Sequence, residues 1–145
     1  MILPDLNLLL YAYNPHVPQH EAARVWWESA INGRELIGLP HEMSSGFVRI
    51  ATNPRLGASA VTLAAAQAVV ESWLSVPVAR VLLPQEDHSQ MVFQLLHRSH
   101  SSGTLTSDAS LAIYAIENRA TLCSNDSDFA RFPGLDATVN LVEQR

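Results

Sequence analysis

The sequence predicts an α/β domain built on a mainly parallel sheet with helices over both faces, and three observations point there. Short apolar runs alternate with amphipathic helical segments along the chain, the pattern of successive βαβ units. Pro and Gly fall between those segments as punctuation, and no repeat, low-complexity tract or long linker interrupts them. The length of 145 residues suits one domain, and 48% hydrophobic against 16% charged residues supplies a core without the charge density of a disordered chain. A single domain over residues 1–145 is therefore expected.

The elements follow from local pattern. Residues 2–4 are an apolar run stopped at Pro4-Asp5, a first strand, and residues 6–13 continue as a helix. Pro18 suits the first turn of a second helix over 18–31, with Ala22, Val25, Trp26, Ser29 and Ala30 at helical spacing. Residues 35–39 read as a buried strand ended by Pro40. Residues 41–52 carry Met43, Phe47 and Ile50 on one helical stripe, which Asn53-Pro54 and Gly57 end. A helix over 61–75 aligns Leu63, Ala66, Val70 and Trp73, a strand at 80–83 stops at Pro84, and a helix over 87–99 pairs Met91 and Val92 with Leu95 and Leu96. After a loop at 100–103, a helix over 108–118 turns Leu111, Ala112, Ala115 and Ile116 inward. A strand at 121–124, a short helix at 126–131 and a last strand at 139–142 complete the pattern.

Composition removes several chemistries. Nine basic residues against fourteen acidic ones leave a net charge of -5, the wrong sign for a protein that coats nucleic acid electrostatically. All nine basic residues are arginine, so lysine-dependent phosphate loops, Schiff bases and Ser-Lys dyads are excluded. One cysteine, Cys123, cannot close an internal disulfide and sits in an apolar run, which fits a buried thiol in a reducing compartment. There is no basic leader segment and no apolar stretch of membrane-spanning length, so a cytoplasmic protein without membrane association is expected. Of the six histidines, His16 with His20 and His97 with His100 have suggestive spacing but lie far from the acids, and the set reads as surface residues.

In open α/β sheets ligands gather beyond the carboxyl ends of the strands, and that is where the acids fall. Asp5 follows the first strand directly, with Asn7 two residues on; Asp126 and Asp128 follow the late strand; Glu42 begins the helix after the second strand; Asp108 starts a helix after Thr106-Ser107. Singly, each aspartate has a plain reading as a helix cap, and Glu42 as an ion-pair partner of Arg49. Together they converge on one mouth with no basic residue adjoining Asp5, Asp108 or Asp126 in sequence. Clustered carboxylates repel and raise one another's pKa unless a cation neutralises them. Oxygen-only donors favour Mg²⁺ or Mn²⁺ over zinc, and such an ion polarises phosphoryl oxygens and activates water.

The segments Leu3-Pro4-Asp5-Leu6-Asn7, Leu39-Pro40-His41-Glu42 leading to Phe47-Val48-Arg49-Ile50-Ala51-Thr52-Asn53-Pro54-Arg55, Thr106-Ser107-Asp108-Ala109, and Ser124-Asn125-Asp126-Ser127-Asp128-Phe129 before Phe132-Pro133-Gly134 resemble, in order and spacing, a PIN-domain protein of the VapC toxin type. The resemblance spans almost the whole chain. It implies a PIN-like three-layer α/β/α sandwich and a Mg²⁺-dependent endoribonuclease, with Mn²⁺ a possible substitute. Its catalytic acids here would be Asp5, Glu42, Asp108 and Asp126, the metal falling to Asp5, Asp108 and Asp126. Asn7, Thr106, Ser107 and Asp128 match supporting positions, and Arg49 is a rim residue suited to substrate phosphate. The resemblance further implies a homodimer, a VapB-like antitoxin partner and a tRNA or rRNA substrate. His41, Ser44, Ser45 and Gly46 depart from the bulkier apolar groups usual in relatives. Two rivals are weighed against this reading. Aspartyl-phosphate chemistry at Asp5 conflicts with the absent lysine and with Asn7 in place of a second aspartate. A catalytically silent PIN-like binding module needs none of the four acids.

Overall fold

The computed structural model describes residues 1–139. Five strands, β1 (Ile2–Pro4), β2 (Ile37–Pro40), β3 (Ala79–Leu82), β4 (Thr121–Cys123) and β5 (Ala137–Thr138), form one sheet in the order β3-β2-β1-β4-β5, and every pair is parallel. The helices are α1 (Leu6–Tyr13), α2 (His20–Ile31), α3 (His41–Ala51), α4 (Leu63–Leu74), α5 (His88–Arg98) and α6 (Thr106–Glu117), with 3₁₀ turns at Pro54–Ser59, Gly103–Leu105 and Ser127–Arg131.

Alternation along the strands divides the interior in two. Ile37, Leu39 and Cys123 face a cluster with Leu8, Leu9, Trp27, Phe47 and Trp73 of α1 to α4. Leu3, Leu82 and Leu122 face the opposite side, against Val92, Leu95, Ala112 and Ile113 of α5 and α6. The result is the three-layer α/β/α sandwich expected from the sequence, with the inner strands β1, β2 and β4 buried on both faces and the edge strands β3 and β5 partly exposed. The order in which strands are added reverses between β1 and β4, a parallel pair whose registers are Ile2 with Thr121, Leu3 with Leu122 and Pro4 with Cys123. That reversal places the residues after β1 and after β4 side by side at one crevice.

Several boundaries and faces differ from the sequence reading. On α2 the buried residues are Ala23 and Trp27, while Val25 is 53% exposed and Trp26 only partly covered. The face is set by an aromatic cluster: Trp27 and Trp73 both donate an indole N–H to the Tyr13 hydroxyl, at 3.2 and 3.1 Å. Helix α6 begins at Thr106, which places Asp108 inside its first turn, and it buries Ala109, Ile113 and Tyr114 while Leu111 and Ile116 are only partly covered. The last strand lies at Ala137–Thr138, ahead of the expected 139–142, of which residues 140–142 fall outside the described residues. His88 is buried rather than a surface residue, bonded to Ser110 at 2.8 Å.

Candidate active site

The site is assembled from the β1 and β4 ends. Asp5 extends the ladder by one bond, its backbone N–H donating to the Cys123 carbonyl at 2.8 Å, and its side chain is almost fully enclosed at 7% exposure. Its side chain makes no regular helix-cap bond on α1, the Asn7 backbone lying only close enough to favour its charged form, so capping does not account for its burial. Instead the Ser124 hydroxyl donates to Asp5 Oδ2 at 2.8 Å and accepts the Asp126 backbone N–H at 2.9 Å. Ser124 is fully buried and therefore ties the β4 loop to Asp5. Sequence reasoning passed over it, although a serine closing a buried strand before Asn-Asp was a legible signal. Asp126 does cap locally, accepting the Asp128 backbone N–H at 2.8 Å.

Asp5 opens onto two lobes. One, a cavity of about 580 Å³, brings it together with Asn7, Glu42, Arg49, Thr106, Ser107 and Asp108, and also with Tyr114. The other, about 280 Å³, joins Asp5 and Asn7 to Asn125, Asp126 and Ser127. Three catalytic candidates thus share the first lobe, and Asp126 reaches Asp5 through the second. Asp128 lines neither and faces Arg131 at 3.3 Å. Glu42 is not paired with Arg49; both its oxygens accept the Tyr114 hydroxyl, at 2.8 and 2.7 Å. Thr106 Oγ1 donates to the Gly103 carbonyl at 2.6 Å, fixing the turn that enters α6.

The electrostatics are those of an uncompensated acidic cluster. Among the described residues Asp5, Asp108 and Asp126 have no ion-pair partner. Burial pushes Asp5 up to about 6 against the opposing hydrogen bonds from Ser124 and the Asn7 backbone, and the charges of Asp108 and Asp126 push the same way as burial. Asp108 is also raised, first by burial and then by Asp126 and Asp128. The donors at the mouth are hard carboxylate, amide and hydroxyl oxygens, the set that suits Mg²⁺ or Mn²⁺. Among the described residues no three of His, Cys, Asp and Glu close on a common point. This is compatible with an ion that takes one or two carboxylates and keeps several waters, as Mg²⁺ does.

A folded pKa of about 6 for Asp5, above its unfolded value of 3.8, has a signed consequence for stability. The folded state binds the proton more tightly, so the stabilising increment is full below about pH 4 and is lost as pH rises through about 6. Without divalent ions, the wild-type chain should lose on the order of 2–3 kcal/mol relative to Asp5→Asn between those limits. Melting curves of the two proteins in chelator across that range test it; parallel curves would refute the shift.

Residues 2–135 match the PIN domain family. Ribonuclease VapC33 of Mycobacterium tuberculosis is 43% identical over 143 residues, covering 99% of this chain and 100% of the relative. The chain belongs to the PIN-domain family, in its VapC branch. The VapC ribonuclease Mb2897 of Mycobacterium bovis is 36% identical over 132 residues, 91% of this PIN domain and 90% of the relative. Among solved structures, Mycobacterium tuberculosis VapC20, a sarcin-ricin loop cleaving toxin, superposes with a TM-score of 0.70 at 17% identity, covering 94% of this chain and 99% of its own. VapBC2 from Rickettsia felis, bound to a promoter DNA fragment, gives a TM-score of 0.69 at 18% identity, with 96% and 98% covered. At such identities the structural likeness establishes the PIN fold. Among the described residues, no helix is long and apolar enough to cross a membrane.

Proposed function

We propose that this PIN domain is the toxin of a toxin-antitoxin pair, a cytoplasmic endoribonuclease that hydrolyses RNA phosphodiester bonds with Mg²⁺, for which Mn²⁺ can substitute. The observation that carries the reading is the enclosed Asp5, its pKa raised first by burial and further by the charges of Asp108 and Asp126, opening onto a cavity that Asp108 and Glu42 also line. A chain gains nothing in stability from such a cluster; a cation makes sense of it. Asp5, Asp108 and Asp126 would hold the ion, Asp108 from one lobe and Asp126 from the other. When bound, the ion polarises the phosphoryl oxygen and lowers the pKa of the attacking water. Glu42, on the α3 wall of that cavity, would orient that water. The Arg49 guanidinium, on the same wall and without an ion pair among the described residues, receives a substrate phosphate. Asn7, Thr106 and Ser107 steer the ribose-phosphate backbone, and Asp128 adds negative charge near Asp108.

The partner we infer is a VapB-like antitoxin, and the working form a homodimer. Ile50 lines both the acidic lobe and an apolar cleft of about 260 Å³ formed with Leu10, Tyr13, Phe47 and Val61. A segment with an apolar stripe and a terminal arginine could occupy both at once. The substrate class is structured RNA, tRNA or rRNA. Incubating the purified chain with total RNA should give discrete fragments in Mg²⁺, none in chelator and none with Asp108→Asn. Cleavage that survives chelation, or is equal in the variant, sinks the assignment; RNA binding without cleavage would favour the silent binding module. Arg49→Ala should raise KM roughly tenfold with kcat little changed, the signature of a lost phosphate contact.

A further inference from the structure

Glu42 presents a mechanical problem. It begins α3 on the exposed rim of the cavity, and an exposed glutamate keeps three rotatable bonds free unless something fixes them. What fixes it comes from another helix. Tyr114, 1% exposed, projects its hydroxyl into the same cavity and donates to both Glu42 oxygens, at 2.8 and 2.7 Å. The ring has its own support: His88 lies against it, with centroids 4.4 Å apart and planes tilted by 46°.

His88 is held in turn. Its Nε2 is 2.8 Å from Ser110 Oγ, and its Nδ1 is 3.4 Å from Glu117 Oε1. Ser110, Tyr114 and Glu117 are spaced by four and then three residues, which puts them on one stripe of α6 facing α5. Both Glu117 oxygens and His88 Nδ1 are buried and make no hydrogen bond among the described residues, so the 3.4 Å approach of Nδ1 to Oε1 is the one polar contact between them. In the tautomer that carries its proton on Nδ1, that proton faces the carboxylate and Nε2 accepts the Ser110 hydroxyl. The chain Glu117, His88, Tyr114, Glu42 therefore runs from an enclosed imidazole–carboxylate contact to the rim of the site.

We infer that Tyr114 is a positioning residue for Glu42, and that the His88–Glu117 pair exists to hold the Tyr114 ring where its hydroxyl can aim the carboxylate into the cavity. The inference rests on the ribonuclease reading, in which Glu42 orients the attacking water. A tyrosine that merely needed somewhere to place its hydroxyl would have no bearing on turnover. Held beside Glu42 and buried, the Tyr114 phenol is pushed well above the ordinary tyrosine range, first by burial and then by the carboxylate.

The test is a double-mutant cycle on Mg²⁺-dependent cleavage of a short RNA by the full chain: wild type, Tyr114→Phe, Glu42→Gln and both together. Tyr114→Phe should lower kcat roughly tenfold with KM within about twofold, and should cost nothing further once Glu42 is glutamine. An undiminished kcat, or losses that multiply in the double variant, overturns the positioning role while cleavage by the wild type keeps the ribonuclease reading intact. A wild type that fails to cleave removes both. Carbon-13 labelling of tyrosine gives a readout that survives any loss of stability in the phenylalanine variant. The Tyr114 phenol should resist ionisation in the wild type and titrate at lower pH in Glu42→Gln; unchanged titration between the two overturns the assignment.

Discussion

Asp5→Asn is expected to abolish RNA cleavage, with kcat falling by about a thousandfold or more, while the metal-free protein at pH 7 melts no lower than the wild type. The first half follows from removing a negative oxygen pair from the one carboxylate that lines both lobes of the site. A divalent ion supplies several kcal/mol of charge stabilisation, and about 4 kcal/mol corresponds to a thousandfold in rate. The second half follows from the pKa of about 6: at neutral pH the folded chain carries an ionised carboxylate in an enclosed position against its own preference. The amide has the same shape, its oxygen can still accept the Ser124 hydroxyl, and it carries no charge to desolvate. Loss of activity combined with retained stability separates chemistry from misfolding. An inactive variant that also melts far below the wild type would refute this account, as would one that still cleaves.

Trp73→Ala should be the most damaging single change to the fold, on the order of 3–5 kcal/mol. Trp73 is 2% exposed and touches three other rings: Phe47 edge-on at 4.7 Å, Tyr13 at 5.9 Å and Trp27 at 6.2 Å. Truncation leaves a cavity between α1, α2, α3 and α4 and removes one of the two indole donors on the Tyr13 hydroxyl. For a domain of this size the melting temperature should fall by about 10 °C or more. Trp73→Phe should recover much of that, since the ring volume largely remains and only the N–H is lost. A fall of under about 2 °C for the alanine variant would contradict the placement of this cluster at the centre of the α1–α4 layer.

The damage should reach the active site only indirectly. Phe47 and Ile50 of α3 pack in or beside the aromatic cluster, and Glu42 and Arg49 sit on the other face of the same helix, lining the acidic lobe. The helix therefore transmits the packing of one layer to the alignment of the site. Ser44, Ser45 and Gly46, the small residues of this helix, are accommodated rather than loose: Gly46 lies against Leu6 of α1, where an added Cβ would come within 3.1 Å of its side chain.

Which acids matter, and at which end of the sheet, could be read from one dimension, because a parallel sheet puts every strand's carboxyl end on the same edge and Pro4-Asp5 and Ser124-Asn125-Asp126 mark two such ends by themselves. The alternation of strand and helix likewise announced three layers. Long-range choices were another matter. The burial of Trp27 in place of Trp26 is a rotation of one residue about the α2 axis, and only the Tyr13 hydroxyl and the Trp73 ring, 60 residues apart in pairing, decide it. The same holds for His88, Ser124 and Tyr114. Serine, histidine and tyrosine are polar at one end and packable at the other, so sequence leaves their burial undetermined. The carboxylates Glu117, Asp5 and Glu42, delivered by folding from distant positions, fix where each one lies.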